Sequence, residues 1–140
     1  MQYTNCDSAM DKKPTLEDFL RYKQMITSGT DAQQREAITA IRQASSIEND
    51  PPLGLIISAG LVPVLMNYHK DKKDISNTAK HDILWAITNV ASGSSQDTMH
   101  VISQNGAQYF LEFCNDPDED VFAQVTTQSH ASLETILSLE

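Results

Sequence analysis

Two side chains in the middle of the chain are suited to holding an extended peptide. Trp85 and Asn89 stand four residues apart, so on a helix they are surface neighbours. The indole can pack the aliphatic stem of a lysine or arginine, or sit beneath its cation. The amide can both donate to and accept from a peptide backbone. The alternative is structural, with Trp85 packing on an adjacent helix and Asn89 simply solvated. No other constellation points to reactive chemistry. His69, His81, His100 and His130 have no metal-ligand spacing with one another or with Cys6 and Cys114. They read as surface residues, with no metal expected. Asp116-Pro117-Asp118-Glu119-Asp120 lacks the glycine and terminal glutamate of a calcium loop and reads as a solvated turn. Without a phosphate-cradling glycine loop or a recognisable nucleophile motif, neither an enzyme nor a cofactor is expected.

Trp85 and Asn89 need a helix to align them, and Thr78 to Ser92 is the most strongly patterned segment of the chain. At about 100° per residue, Ile83, Leu84, Ile87, Val90 and Ala91 share one arc, while Trp85, Asn89 and Ser92 cluster opposite. Further helices are expected from Leu16 to about Ser28 and from Asp31, as N-cap, to about Ala44. Leu53–Ser58 is a short helix, Gly60 breaks the chain, and another helix starts at Leu61 with Pro63 tolerated in its first turn. After a loop at Gly93-Ser94-Ser95 the order returns: Thr98–Ser103 short, Asn105-Gly106, Ala107–Cys114, an acidic loop, then Val121 to about Leu137.

That recurrence is an internal repeat. Ile56–Leu61 returns at Val101–Ala107, with Gly106 46 positions after Gly60, and Ile38–Ser45 returns at Trp85–Ser92, 47 residues on. Such spacings suit the ~40–47 residues of armadillo or HEAT units, giving an all-α array of about two and a half repeats. A closed helical bundle is the alternative, but a bundle has no need of the short helix. Residues 1–14 read as a mobile leader and 15–140 as the repeat domain.

The net charge of −9 sits entirely in the last 60 residues, where nine acids meet no lysine or arginine. Such a surface repels phosphate and anionic lipid and attracts basic peptides, so neither nucleic acid nor membrane is an expected partner. Widely spaced cysteines and the lack of a signal-peptide pattern indicate a reducing compartment. The longest apolar run, Leu53 to Met66, falls short of the ~20 residues of a membrane span.

The run Leu84-Trp85-Ala86-Ile87-Thr88-Asn89-Val90-Ala91-Ser92-Gly93, with its polar continuation to Thr98, resembles the second-repeat signature of importin-alpha. Pro51-Pro52 and Ile56 to Pro63 resemble that family's first repeat, so the resemblance covers roughly Leu16 to Gln124. It implies an armadillo-repeat right-handed superhelix that clamps basic nuclear localisation signal peptides for import into the nucleus, and therefore a cytoplasmic and nuclear location. It implies that Trp85 flanks basic side chains, that Asn89 bonds the peptide backbone, that Ser92, Gly93 and Thr98 surround a lysine pocket, and that Gln124 is a further groove position. Thr127, Ala131 and Thr135 stand where the next Trp, Asn and pocket Asp of the family are expected, as in a truncated form with half the clamp. Lys12-Lys13 is the sole basic pair before the repeats, which argues against direct importin-beta docking. Another possibility is an armadillo scaffold that pairs with itself or other repeat proteins through Phe122, Val125, Leu133 and Ile136 and binds no signal peptide.

Overall fold

The structure is a computed structural model that describes residues 13–114, those at 113 and 114 by their backbone alone. The leader up to residue 12, the acidic loop and the helix expected over 121–137 lie outside the described residues. Within them the chain is all-helical: α1 (Leu16–Ser28), α2 (Asp31–Ser45), α3 (Leu53–Ser58), α4 (Leu61–Asp71), α5 (Asn77–Ala91), α6 (Ser95–Ser103) and α7 (Gly106–Cys114).

Four helices, α1, α2, α5 and α6, start where a short polar side chain satisfies an otherwise unbonded backbone N–H, whereas α4 starts at Gly60 without a side-chain cap. Thr15 with Asp18, Thr30 with Gln33, and Ser94 with Asp97 form reciprocal capping boxes, and Ser76 caps α5 alone. Two expected starts shift as a result. Thr30, not Asp31, is the N-cap of α2, because the hydroxyl accepts from Gln33 while the Gln33 side chain returns the bond. The second short helix begins at Ser95, three residues before Thr98, because Ser94 and Asp97 cap it there.

The caps also measure the repeat. Thr30 and Ser76 open, and Ser46 and Ser92 close, two helices of equal length 46 residues apart. Local identity puts the offset at 47, which misplaces the rungs by one residue. In true register Thr39 and Gln43 of α2 hold the places that Trp85 and Asn89 hold in α5. α1–α2 is therefore the end of one unit, α3–α5 a complete short-long-long unit and α6–α7 the start of the next, the architecture of an armadillo array. α2 packs on α5, and α3 on α6, so long helix stacks on long and short on short.

One apolar core runs through all seven helices, including Phe19, Ile38, Ile41, Ile56, Leu65, Ile83, Ile87, Val101 and Phe110. α5 is its centre, with nine of 15 residues buried, so its apolar arc is far wider than a single-sided helix would need. All five residues expected on its core face are buried, and Thr88 joins them by returning its hydroxyl proton to the Leu84 carbonyl at 2.7 Å.

The two sharp bends before α4 and α7 use different chemistry. Gly60 is left-handed (φ 75°), whereas in the next unit the left-handed residue is Asn105 (φ 67°), not Gly106. Asparagine is among the few residues that tolerate this region. Gly106 is helical and needed for closeness, since a Cβ there would meet the Val101 side chain and carbonyl. Gly106→Ala should therefore destabilise by about 2 kcal/mol, as overpacking does, with Asn105→Gly within ~0.5 kcal/mol of wild type; urea unfolding of both variants checks the contrast.

α4 and α7 meet at a buried polar contact, the His69 Nδ1 lying 2.9 Å from the hydroxyl of the fully buried Tyr109. Burial, and secondarily Glu112, pushes the Tyr109 phenol well above the ordinary tyrosine value. Its contribution is thus complete below the ordinary value and lost as pH climbs from there through the raised folded one. Tyr109→Phe should cost about 1 kcal/mol at neutral pH and flatten the alkaline fall in stability, read from melting curves between neutral and strongly alkaline pH.

Candidate functional site

Stacking α2 on α5 in parallel creates a seam whose contacts pair residues 40 to 44 apart. At its N-terminal end, Asp82 is buried and accepts from the Thr39 hydroxyl at 3.4 Å. In the middle, Arg42 reaches across: its Nε lies 3.0 Å from Asp82 Oδ1 and its guanidinium carbon 5.1 Å from the centre of the Trp85 ring. The ion pair is poorly aligned for hydrogen bonding, so it acts chiefly through charge. His81, one turn before Trp85, meets the indole edge-to-face at 5.0 Å. Trp85 is half-buried and rests against the core, so the wheel's outward placement of the indole holds only in part.

At the C-terminal end the amide nitrogen of Asn89 donates to Ser45 Oγ at 3.1 Å and Ser46 Oγ at 3.2 Å. Both serine hydroxyls donate in turn to the Arg42 carbonyl, at 2.7 and 2.9 Å. Their protons being spent there, their lone pairs can only accept, which fixes the amide orientation. The donors of Asn89 are thereby committed within the fold, and its Oδ1 is the group that remains for an incoming N–H.

Beyond Asn89 opens a cleft of about 520 Å³, lined by Ser45, Asp50, Leu53, Asn89, Ser92, Gly93 and Asp97 among others. Gly93 forms the close wall, where a Cβ would strike the Asp97 carboxylate and lie 2.8 Å from Leu53 Cδ1. Asp97 is held by its bond from the Ser94 N–H. Asp50 projects into solvent from a left-handed turn, φ 53°. Lys13 holds that turn from behind, donating to the carbonyls of Asn49 and Asp50 at 2.8 and 2.7 Å.

Of the residues expected at the site, Asn89, Ser92 and Gly93 come together on this cleft, and Trp85 stands one turn below Asn89. Thr98 does not line it: its hydroxyl turns inward, donating to the Ala91 carbonyl at 2.6 Å. Gln124, Thr127, Ala131 and Thr135 lie outside the described residues. The sequence reading missed Arg42, Ser45, Ser46, Asp50, Asp82 and Asp97. Only Asp97 carried a local signal, the Ser94-x-x-Asp97 box. His69, His81 and His100 are half-buried rather than surface residues, because two of them pack edge-on against the aromatic rings of Tyr109 and Trp85. Among the described residues no group of three or more His, Cys, Asp or Glu could hold a metal ion, and no helix is long and apolar enough to cross a membrane.

No protein-family model matches the chain. Among curated proteins it is 33% identical over 117 residues to importin subunit alpha-1b of Oryza sativa subsp. japonica, an alignment covering 84% of this chain and 21% of the relative. It is 35% identical over 98 residues to importin subunit alpha-8 of Mus musculus (70% and 19%), and 34% identical over 91 residues to importin subunit alpha-B of Dictyostelium discoideum (64% and 17%). The chain thus spans about a fifth of the length of the relatives it matches. None of these relatives is named as an enzyme. Because Asn89 ties α5 to the end of α2 through both serines, Asn89→Ala should lower stability by about 1 kcal/mol, measured as a shift in the urea midpoint with unchanged slope.

Proposed function

The chain is an importin-alpha-like armadillo-repeat protein, and on that premise we propose that it is an adaptor module binding basic nuclear localisation signal peptides in protein import into the nucleus. The observation that carries this reading is the seam between α2 and α5, where the acceptor Oδ1 of Asn89 sits between an indole wall and a cleft edged by Asp50 and Asp97. An extended peptide would give a backbone N–H to Asn89, lay an aliphatic stem on Trp85 and place a cationic head near the two carboxylates. Ser92 and Gly93 form the rim, Gly93 leaving backbone exposed to the cleft. Thr98 supports the floor through Ala91 rather than touching the peptide, and Gln124 is kept as a further groove position from the resemblance alone.

A net charge of −9 favours basic ligands at long range. The role requires presence in both cytoplasm and nucleus and no chemical step. A self-pairing scaffold draws no support from the described residues, since the apolar side chains that would drive it, Phe122, Val125, Leu133 and Ile136, lie outside them.

A fluorescent lysine-rich peptide titrated against the full chain should bind in a salt-sensitive manner. Trp85→Ala and Asn89→Ala should each weaken it by roughly tenfold, the loss of one charge-adjacent bond or buried wall, while Asp50→Asn should cost about threefold and leave stability unaltered. Equal affinity in all four proteins would remove the groove assignment.

A further inference from the structure

We propose that Arg42 is a built-in occupant of the cation site of Trp85, so that the module selects basic side chains at the acidic cleft beyond Asn89 and uses the indole as an apolar wall. This rests on the reading of the seam as a peptide groove and specifies where that groove reads charge.

A ring face receives a cation when the charge lies within about 6 Å of its centre, and Arg42 already lies at 5.1 Å. The guanidinium is not a passing surface group. Its side chain is 23% exposed and that of its partner Asp82 10%, so the pair is largely withdrawn from water and pulling Arg42 away would orphan a buried carboxylate. Asp82, the carboxylate nearest the indole in the sequence, is spent on this internal cation and on the Thr39 hydroxyl. A lysine arriving over the same face would meet a fixed positive charge whose neighbouring acid, Asp82, is already engaged. On the other side of Asn89 the situation reverses. Asp50 and Asp97 edge the cleft, and the cation near Asp50, Lys13, sits 3.6 Å from a carboxylate that is 97% exposed. Screened by water, that contact leaves the carboxylate open to a second cation.

The test replaces the pair without changing net charge. Arg42→Gln combined with Asp82→Asn should bind fluorescein-labelled hexalysine roughly three- to tenfold more tightly than wild type, the range of an unblocked cation–π contact. Weaker binding by the double variant, with an unaltered circular dichroism spectrum, would overturn the proposal and make Arg42 a buttress for the indole. Trp85 is the only tryptophan, so its fluorescence gives a second readout that needs no peptide. Caesium ions should quench it more steeply in the double variant than in wild type at matched ionic strength, and equal slopes overturn the proposal. If wild type ignores hexalysine, the groove reading fails while the caesium comparison still decides the occupancy of the ring. If the double variant does not fold, Arg42→Gln alone is read with neutral acrylamide, where a steeper slope supports occupancy and an equal one overturns it.

Discussion

Parallel stacking of α2 on α5 is the constraint from which the rest of the structure follows. Two helices of 15 residues, capped 46 residues apart, lie side by side in matching direction, so the cross-helix contacts of the site join residues 40 to 44 apart. A slip of one residue would rotate α5 by about 100° against α2, burying Asn89 and turning the core isoleucines outward. Capping hydroxyls at Thr30 and Ser76 resist that slip because each fixes where its helix begins.

Among the described residues helix number and type were legible because the apolar period is strong, as in Ile83, Leu84, Ile87, Val90 and Ala91, all of them buried. Boundaries were less so, since the caps at Thr30 and Ser94 lie among several hydroxyl residues and only the reciprocal side chain, Gln33 or Asp97, tells which one acts. The geometry of the candidate site was half legible. A helical wheel reports one helix's own geometry, so it found Trp85 and Asn89 but was blind to α2, which supplies Arg42, Ser45 and Ser46 from more than 40 residues away. The same blindness hid the burial of Asp82, which on α5 alone looks like a solvated acid.

Glycine in this chain illustrates why residue identity is a poor guide to repeat register. Gly60 and Gly106 look equivalent in sequence, yet one supplies a left-handed backbone and the other a surface close enough for Val101. The left-handed position of the second unit passes to Asn105. Conformation recurs at 45 residues where letters recur at 46. Gly93 belongs with Gly106, its missing side chain making room for Asp97 and Leu53.

The burial of α5 on nearly every side separates two kinds of inheritance within one helix. Nine positions answer to packing, where a changed side chain alters the fold before it alters anything else. Trp85 and Asn89 answer mainly to what lies across the seam, Arg42, Ser45 and Ser46. If the seam is a peptide groove, a gene encoding such a helix can alter what it meets at those two codons at a modest cost in stability while the buried positions hold the scaffold, so recognition can drift in small steps without passing through an unfolded ancestor.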